Sequence, residues 1–212
     1  MNKGSIWRKW DFQLHTPYSI LSNGYGDPLK VETWDRYITQ IEKVAKENSI
    51  FALGITDYFM IEGYKKVKEY QGKGRLKEFF IFPNIEFRAD KIITLEKENG
   101  ERHTKRINFH VLFSPEVDIQ VIQEHFLDDI EFIHEEDTFS TGQKRKLKIS
   151  NLQDFGKKLK EQHNEFRDKP DLFIGCMNAV VDPNSIKHIL EKNDKFKGKY
   201  LICLADESIS LL

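Results

Sequence analysis

WDFQLHTP, residues 10–17, alternates apolar and polar side chains and ends at a proline. Successive side chains of a strand point to opposite faces, so this alternation predicts a β-strand over residues 7–16. The polar residues Asp11, Gln13 and His15 then share one face, opposite the apolar residues between them. Because proline disfavours continuation of a strand, polar side chains are expected at its carboxyl end.

Three later segments repeat this arrangement of a polar residue within or just after an apolar run. They are GITDY (54–58), PNIEF (83–87) and NFHVL (108–112), which carry Asp57, Glu86 and His110. Carboxylates and imidazoles at the ends of parallel strands can meet in one cavity, as in α/β barrels. Mixed His and carboxylate ligands suit Zn, Mn or Fe, and such ions can bind a phosphate between them.

Each of these residues also has a structural interpretation. A lone strand histidine such as His110 is more often a hydrogen-bonded core residue than a ligand, and Asp57 can simply cap the following turn. Glu86 is the most informative, because an ionised carboxylate in an apolar strand is costly unless it is paired or metal-bound. The four segments in this order are more specific than any one alone.

Apolar and helical segments alternate along the chain, which predicts an α/β layer or barrel architecture. Strands are predicted at residues 7–16, 51–56, 79–87, 91–96, 105–113 and 200–205, with an Asn99-Gly100 hairpin turn. Helices are predicted at residues 31–48, 61–70, 118–126, 151–166 (with Ser150 as N-cap) and 184–192, and residues 172–181 form an apolar run.

Composition limits the class of protein. The 212 residues suffice for one domain, and a net charge of −1 argues against a surface that is entirely a nucleic-acid footprint. Cys176 and Cys203 are too few for a disulfide framework. No apolar stretch approaches the roughly 20 residues of a membrane span, and the N-terminus lacks the apolar region of a signal peptide. A cytoplasmic protein without a membrane segment is therefore expected.

A charged insertion is predicted at about residues 127–148, where acidic residues precede a basic run. A solvated insertion is the favoured interpretation. The weaker alternative is that the basic run contacts nucleic-acid phosphates through Lys144, Arg145, Lys146 and Lys148.

The four polar segments together resemble the motifs of the PHP (polymerase and histidinol phosphatase) domain family. Residues 11–16 look like its opening Asp-x-His-x-His-Thr motif, and residues 56–58 are similar to its Thr-Asp-His motif. Glu86 matches its glutamate motif, and residues 110–112 match its His-x-Leu motif. The resemblance covers residues 7–114, in the family's order.

The resemblance implies one PHP-like domain over residues 1–212, with a distorted (β/α)7 barrel that is incomplete at the C-terminus. It implies divalent metal ions, Zn, Mn or Fe, at the carboxyl ends of the strands and hydrolysis of a phosphoester by a metal-activated water. His15, Glu86 and His110 would be metal ligands. Asp11 and Asp57 would be catalytic residues that orient or ligate the ions.

The sequence also looks like the branch of PHP domains that precede AAA- or SMC-like ATPase regions, some of them linked to phage defence. An ATPase region or partner is therefore expected, with a phosphorylated substrate such as nucleic acid or a nucleotide. The chain itself contains no Gly-x-x-x-x-Gly-Lys-Ser/Thr phosphate-binding motif. If the barrel is open, its exposed strand edges favour an oligomer or a partner that covers them.

Departures from the family pattern leave the activity open. Gln13 and Tyr58 stand where the family has histidines, and both are poor ligands for a divalent metal. Cys176 is the one positional candidate for a replacement ligand, with a buried structural cysteine as the alternative. The family's final Asp-x-His motif is not found. The alternative function is therefore a degenerate, non-catalytic binding or regulatory module, and the third is a domain whose resemblance is accidental.

Overall fold

The structure is a computed structural model that describes residues 7–22, 24–96, 100–133 and 144–204. Within these ranges the strands are β1 (Lys9–His15), β2 (Ile50–Tyr58), β3 (Phe80–Glu96), β4 (Arg102–Phe113), β5 (Glu131–Ile133), β6 (Arg145–Lys146), β7 (Val180–Val181) and β8 (Tyr200–Leu204). The helices are α1 (Val31–Glu47), α2 (Glu62–Gly72), α3 (Ile119–His125), α4 (Ile149–Gln162), α5 (Asp171–Asn178) and α6 (Pro183–Lys192). The alternation of strands and helices confirms the predicted α/β class.

The chain forms two compact units. Unit 1 takes its residues from 1–85 and 112–115, and unit 2 takes its residues from 86–111 and 116–212. Strands β3 and β4 each contribute residues to both units. Unit 1 contains the first and second polar segments of the sequence, and unit 2 contains Glu86 and His110.

In unit 1, parallel strands β1 and β2 are followed in the sheet by the first part of β3. Helix α1 is amphipathic: Trp34, Ile38 and Ile41 recur at helical spacing and are buried, while lysines and glutamates occupy the other side. Helices α1 and α2 both contact β2, so their apolar faces are buried against the sheet.

A β-bulge interrupts strand β1. Asp11 pairs with Leu53 and Leu14 pairs with Ile55, so β1 advances by three residues between these two pairs while β2 advances by two. The extra residue breaks the period of two that the sequence predicted for Asp11, Gln13 and His15. Beside the bulge, a Cβ on Gly54 would lie 2.6 Å from the Phe12 backbone, so only glycine permits this close approach.

In unit 2, the second part of β3 pairs in parallel with β7, and β5 is antiparallel to both β7 and β6. Aromatic rings fill its core. Phe87 stacks on Phe109 with ring centroids 5.6 Å apart, and Phe126 meets the edge of Phe87 at 5.9 Å. Offset and edge-to-face contacts of this kind add to the burial of the rings themselves.

Helices α4 and α5 meet backbone to backbone in unit 2. A Cβ on Gly156 of α4 would lie 1.8 Å from the Asp171 carbonyl oxygen, and one on Gly175 of α5 would lie 1.8 Å from the Leu152 carbonyl oxygen. Both glycines are buried. The absence of a side chain at these two positions is therefore what allows the helices to pack this closely.

Most predicted elements are confirmed, with three differences. The two strands predicted at 79–87 and 91–96 are one continuous strand, β3. Helix α4 begins at Ile149, so Ser150 lies inside the helix and Lys148 takes the N-cap position without a side-chain cap. The apolar run 172–181 divides into a helix and the short strand β7, a division that its uniform hydrophobicity did not indicate.

The predicted charged insertion is ordered where it is described. A 3-10 turn at Leu127–Asp129 leads into β5, which pairs with β6. The remainder of the insertion, residues 134–143, lies outside the described residues, as does Asn99 of the predicted hairpin turn. Of the helices in the described ranges, none combines the length and hydrophobicity required to cross a bilayer.

Candidate functional site

Polar side chains form a buried cluster in unit 1 where β1 and β2 end. The Asp57 carboxylate accepts hydrogen bonds from the Thr16 N–H at 3.1 Å and from the Thr16 hydroxyl at 2.9–3.0 Å. Thr16 is fully buried and Asp57 is 2% exposed. Asp57 therefore fixes the turn that follows β1, and its described contacts are those of a positioning group. Its catalytic role stays a prediction.

Gly63, in the first turn of α2, lies against this cluster. A Cβ at Gly63 would lie 1.9 Å from the Asp57 carboxylate and 2.3 Å from the Thr16 hydroxyl. Helix α2 can therefore approach the ends of β1 and β2 only because residue 63 has no side chain. Sequence reasoning missed both Thr16 and Gly63, although Thr16 belongs to the motif that carries His15.

His15 is held in place by two neighbours. Its Nδ1 lies 3.0 Å from the Ser19 hydroxyl oxygen, and its ring stacks on Tyr58 with centroids 5.2 Å apart and planes inclined by 13°. Tyr58 therefore acts here as a packing surface for the imidazole. Ser19 is fully buried, and its spacing of four residues from His15 is the signal that would have identified it.

A second set of hydrogen bonds joins the three strands of unit 1. The Asn84 amide donates to the Phe12 carbonyl oxygen at 2.6 Å and to the Thr56 hydroxyl at 2.9 Å, while the Thr56 hydroxyl donates to the Phe12 carbonyl at 2.9 Å. The Phe12 carbonyl lies in the bulge of β1, where the regular pairing with β2 is interrupted. The Asn84 and Thr56 side chains therefore supply hydrogen bonds to this backbone acceptor. Asn84 was not predicted as a site residue.

Asp11 and Gln13 lie nearer to solvent. Asp11 is half-buried and accepts a hydrogen bond from the Gln13 N–H at 3.2 Å, and the Gln13 side chain is exposed. The described contact of Asp11 is local to the bulge. The roles predicted for Asp11 and for the degenerate position Gln13 stay predictions.

In unit 2, one face of β3 and β4 carries Glu86, Asn108 and His110, which we call the Glu86 face. The Asn108 amide donates to the Glu86 carboxylate at 2.8 Å, and His110 is two residues further along β4, on the same side of the strand. Glu86 is 1% exposed and His110 is 6% exposed. The structure thus brings a buried carboxylate and a buried imidazole, both predicted ligands, to one face of the sheet.

The opposite face of these strands packs into the aromatic core through Phe87 and Phe109. Next to the Glu86 face along β3, the Arg88 guanidinium donates to the Met177 carbonyl oxygen at the end of α5. The Glu86 face is therefore positioned on one side by packed rings and at one end by an anchored cation. Asn108 was missed in the sequence, although its spacing of two residues from His110 places it on the same face.

The donor set fits a metal ion only in part. Glu86 and His110 offer an oxygen and a nitrogen of the kinds that Zn, Mn and Fe accept, and Asn108 orients the carboxylate. Across residues 7–22, 24–96, 100–133 and 144–204, no three His, Cys, Asp or Glu side chains are grouped closely enough to hold an ion. A metal centre therefore needs more than the Glu86 face alone.

Cys176 lies in the core of unit 2. It lies on α5, is fully buried, and burial raises the pKa of its thiol to about 12. Because the thiolate is the form that binds metals, a protonated thiol in an apolar environment favours the structural interpretation. Its predicted alternative, a buried core cysteine, agrees with these surroundings.

The basic run divides between two sides of the short strand β6. Lys144 and Lys146 line a surface groove, whereas Arg145 lies between them in the strand and is half-buried. Lys148 is exposed at the start of α4. The run is therefore not one continuous basic patch, because alternate residues of a strand face opposite ways.

The buried Asp57 predicts a specific dependence of stability on pH. Burial raises the pKa of Asp57 from 3.8 to about 7, against the Thr16 hydrogen bonds and His15, which lower it. The folded protein therefore holds this proton more tightly than the unfolded chain, and the resulting stabilisation is lost as the pH rises from about 4 to about 7. Relative to Asp57→Asn, the wild type should lose about 4 kcal/mol over this range.

Urea unfolding of the wild type and of Asp57→Asn at a series of pH values measures this difference. Asparagine stays neutral but keeps an oxygen that can accept from the Thr16 N–H. A difference in unfolding free energy between the wild type and Asp57→Asn that does not change with pH would contradict the expectation that ionisation of Asp57 destabilises the fold.

No protein-family model, curated protein or solved structure shows significant similarity to this chain.

Proposed function

We propose that the chain is a PHP-like, metal-dependent phosphoesterase domain that hydrolyses a phosphoester, with nucleotides and nucleic acid as its substrate class. The observation that carries this proposal is the Glu86 face, where a carboxylate and an imidazole are both buried on neighbouring strands. The distorted (β/α)7 barrel and an ATPase region or partner in a phage-defence or DNA-processing system belong to the same proposal.

Burial gives the Glu86 face its functional interest. Removing a carboxylate from water costs several kcal/mol unless nearby charge and hydrogen bonds compensate. Asn108 supplies one neutral hydrogen bond. A divalent ion bound by Glu86 and His110 would compensate far more strongly, and Asn108 would then act as the outer partner that orients the carboxylate.

His15 is the metal ligand that this proposal places in unit 1. Its Nδ1 lies 3.0 Å from the Ser19 hydroxyl oxygen, and a histidine with one ring nitrogen held by a hydrogen bond commonly binds a metal through the other. Stacking on Tyr58 and the Thr16–Asp57 hydrogen bonds restrict the position of this ring and of the turn after it. When bound, the ion would supply an activated water and neutralise charge on the phosphate.

The second candidate is a degenerate binding or regulatory module. One observation favours it: Tyr58 and Gln13 replace family histidines, and Tyr58 packs on His15. Under this interpretation Glu86, Asn108 and His110 satisfy one another, and the domain binds its partner without hydrolysis.

Hydrolysis separates the two candidates. The chain is stripped with a chelator, dialysed, and assayed with p-nitrophenyl phosphate and bis-p-nitrophenyl phosphate after Mn²⁺, Zn²⁺ or Fe²⁺ is added back. If the chain is a metal-dependent phosphoesterase, it should release p-nitrophenol only after metal is added back. The absence of release with every ion, from protein that remains folded, would favour the non-catalytic module.

A further inference from the structure

A polar groove runs beside helix α6 in unit 2, away from the Glu86 face. It consists of two adjoining cavities of about 440 and 630 Å³ that share Asp129, Lys146, His188 and Ile189. We call this the α6 groove. Volumes in this range are those of sites for small molecules.

The larger cavity is rich in basic groups. Lys146, Lys192 and Lys195 line it together with His125 and His188, and the acidic residues there are Asp129 and Asp194. Three ammonium groups therefore lie beside two carboxylates in this cavity. The smaller cavity is more acidic, because Glu131 and Asp182 join Asp129 against Lys144 and Lys146.

Two of the basic groups are in direct contact. Lys195 Nζ lies 2.7 Å from His125 Nε2. An ammonium group can only donate, so the imidazole nitrogen accepts this hydrogen bond. Lys146 in turn donates to the Asp129 carbonyl oxygen at 3.0 Å and lies 3.8 Å from the Glu131 carboxylate, which offsets part of its charge. These contacts hold Lys195 and Lys146 in place at the larger cavity, where their remaining donors suit an anionic oxygen.

Ile189 is an accessible apolar side chain of the groove, since it is half-buried and lines both cavities. Ile130 and Ile186 also line the smaller cavity, but each is only 1% exposed. An apolar surface beside a cationic end suits a ligand with a flat organic part and a phosphate tail.

We propose that the α6 groove binds a nucleotide-sized ligand through its phosphate groups, with Lys146, Lys192 and Lys195 as the phosphate contacts. This site is separate from the proposed metal centre, because Glu86 and His110 do not line the groove. It therefore stands whether or not the domain hydrolyses phosphoesters.

Calorimetric titration of the whole chain with ATP, tripolyphosphate and adenosine tests the proposal. ATP and tripolyphosphate are expected to bind, and adenosine is not. The double variant Lys192→Gln, Lys195→Gln should weaken ATP binding by about tenfold or more, because each lost charge-assisted contact is worth a large part of the affinity. A competition titration with an oligothymidylate distinguishes a free nucleotide from nucleic acid as the ligand. If the oligothymidylate displaces ATP, the groove binds the phosphates of a nucleic-acid strand.

The matched control is Lys157→Gln, Lys158→Gln, which removes the same charge from exposed positions on α4 outside the groove. ATP affinity in this control should stay within about twofold of wild type. Binding of adenosine alone, equal weakening in the two lysine pairs, or no ATP binding up to about 5 mM would overturn the proposal.

Discussion

Replacing Gly63 by alanine is expected to lower the free energy of unfolding by about 3 kcal/mol or more. The new Cβ would lie 1.9 Å from the Asp57 carboxylate and 2.6 Å from the Thr16 methyl carbon, and both residues are buried. Relief requires either that α2 moves away from the strands or that the Thr16–Asp57 hydrogen bonds break. Either response exposes a polar cluster that the fold otherwise satisfies.

Gly72→Ala is the matched control for this prediction. Gly72 ends the same helix, and no atom lies within 4 Å of a Cβ built there. Alanine is the better helix former by about 1 kcal/mol, so Gly72→Ala should leave stability unchanged or raise it slightly. Urea unfolding of both variants measures the contrast. Equal stability of Gly63→Ala and Gly72→Ala would show that α2 does not depend on close contact with Asp57.

Glu86→Gln and His110→Gln are expected to reduce metal-dependent hydrolysis by about 100-fold or more, because a lost ligand removes several kcal/mol of transition-state stabilisation. Both substitutions preserve approximate size and polarity at buried positions, so the fold should survive. Asn108→Ala should have a smaller effect, about 10- to 100-fold, since Asn108 acts through the Glu86 carboxylate. The p-nitrophenyl assays measure all three.

His163→Gln controls for the loss of an imidazole as such. His163 follows α4, and its side chain is 40% exposed, beside Glu165. The metal-dependent hydrolysis by the His163→Gln variant should equal that of the wild type. Folded Glu86→Gln or His110→Gln protein with wild-type hydrolysis would remove the Glu86 face from the proposed mechanism.

The α/β class and most elements were predictable because their signals are local. The helical spacing of Trp34, Ile38 and Ile41 defines α1, and Pro183 after Asp182 defines the start of α6. The continuous strand β3 was not predictable in the same way. Strands were predicted on both sides of Arg88, Ala89 and Asp90, and the pairing of Ala89 with Val181 of β7 shows that the join between them depends on a distant segment.

The candidate site was predictable in its residue types more than in its contacts. Alternation correctly placed Glu86 and His110 in strands, and both side chains are buried. The pairing of Thr16 with Asp57 spans 41 residues, and the bulge beside Gly54 depends on strand register. Such contacts follow from packing between distant segments, which no local pattern encodes.

The same limit explains the α6 groove. Lys146 comes from the predicted basic run, but Lys192, Lys195 and His125 come from segments that had no assigned role. Only the folded chain brings these side chains to one cavity. The basic run of residues 144–148 therefore contributes only Lys144 and Lys146 to the lining of the groove.

Elemental analysis of the chain, purified without chelator, tests the proposed metal centre most directly. We expect about one or more equivalents of Zn, Mn or Fe per chain in the wild type, and a loss of this metal in the Glu86→Gln, His110→Gln double variant. Fewer than about a tenth of an equivalent in the wild type, even after metal is added back, would contradict the phosphoesterase proposal and favour the binding module.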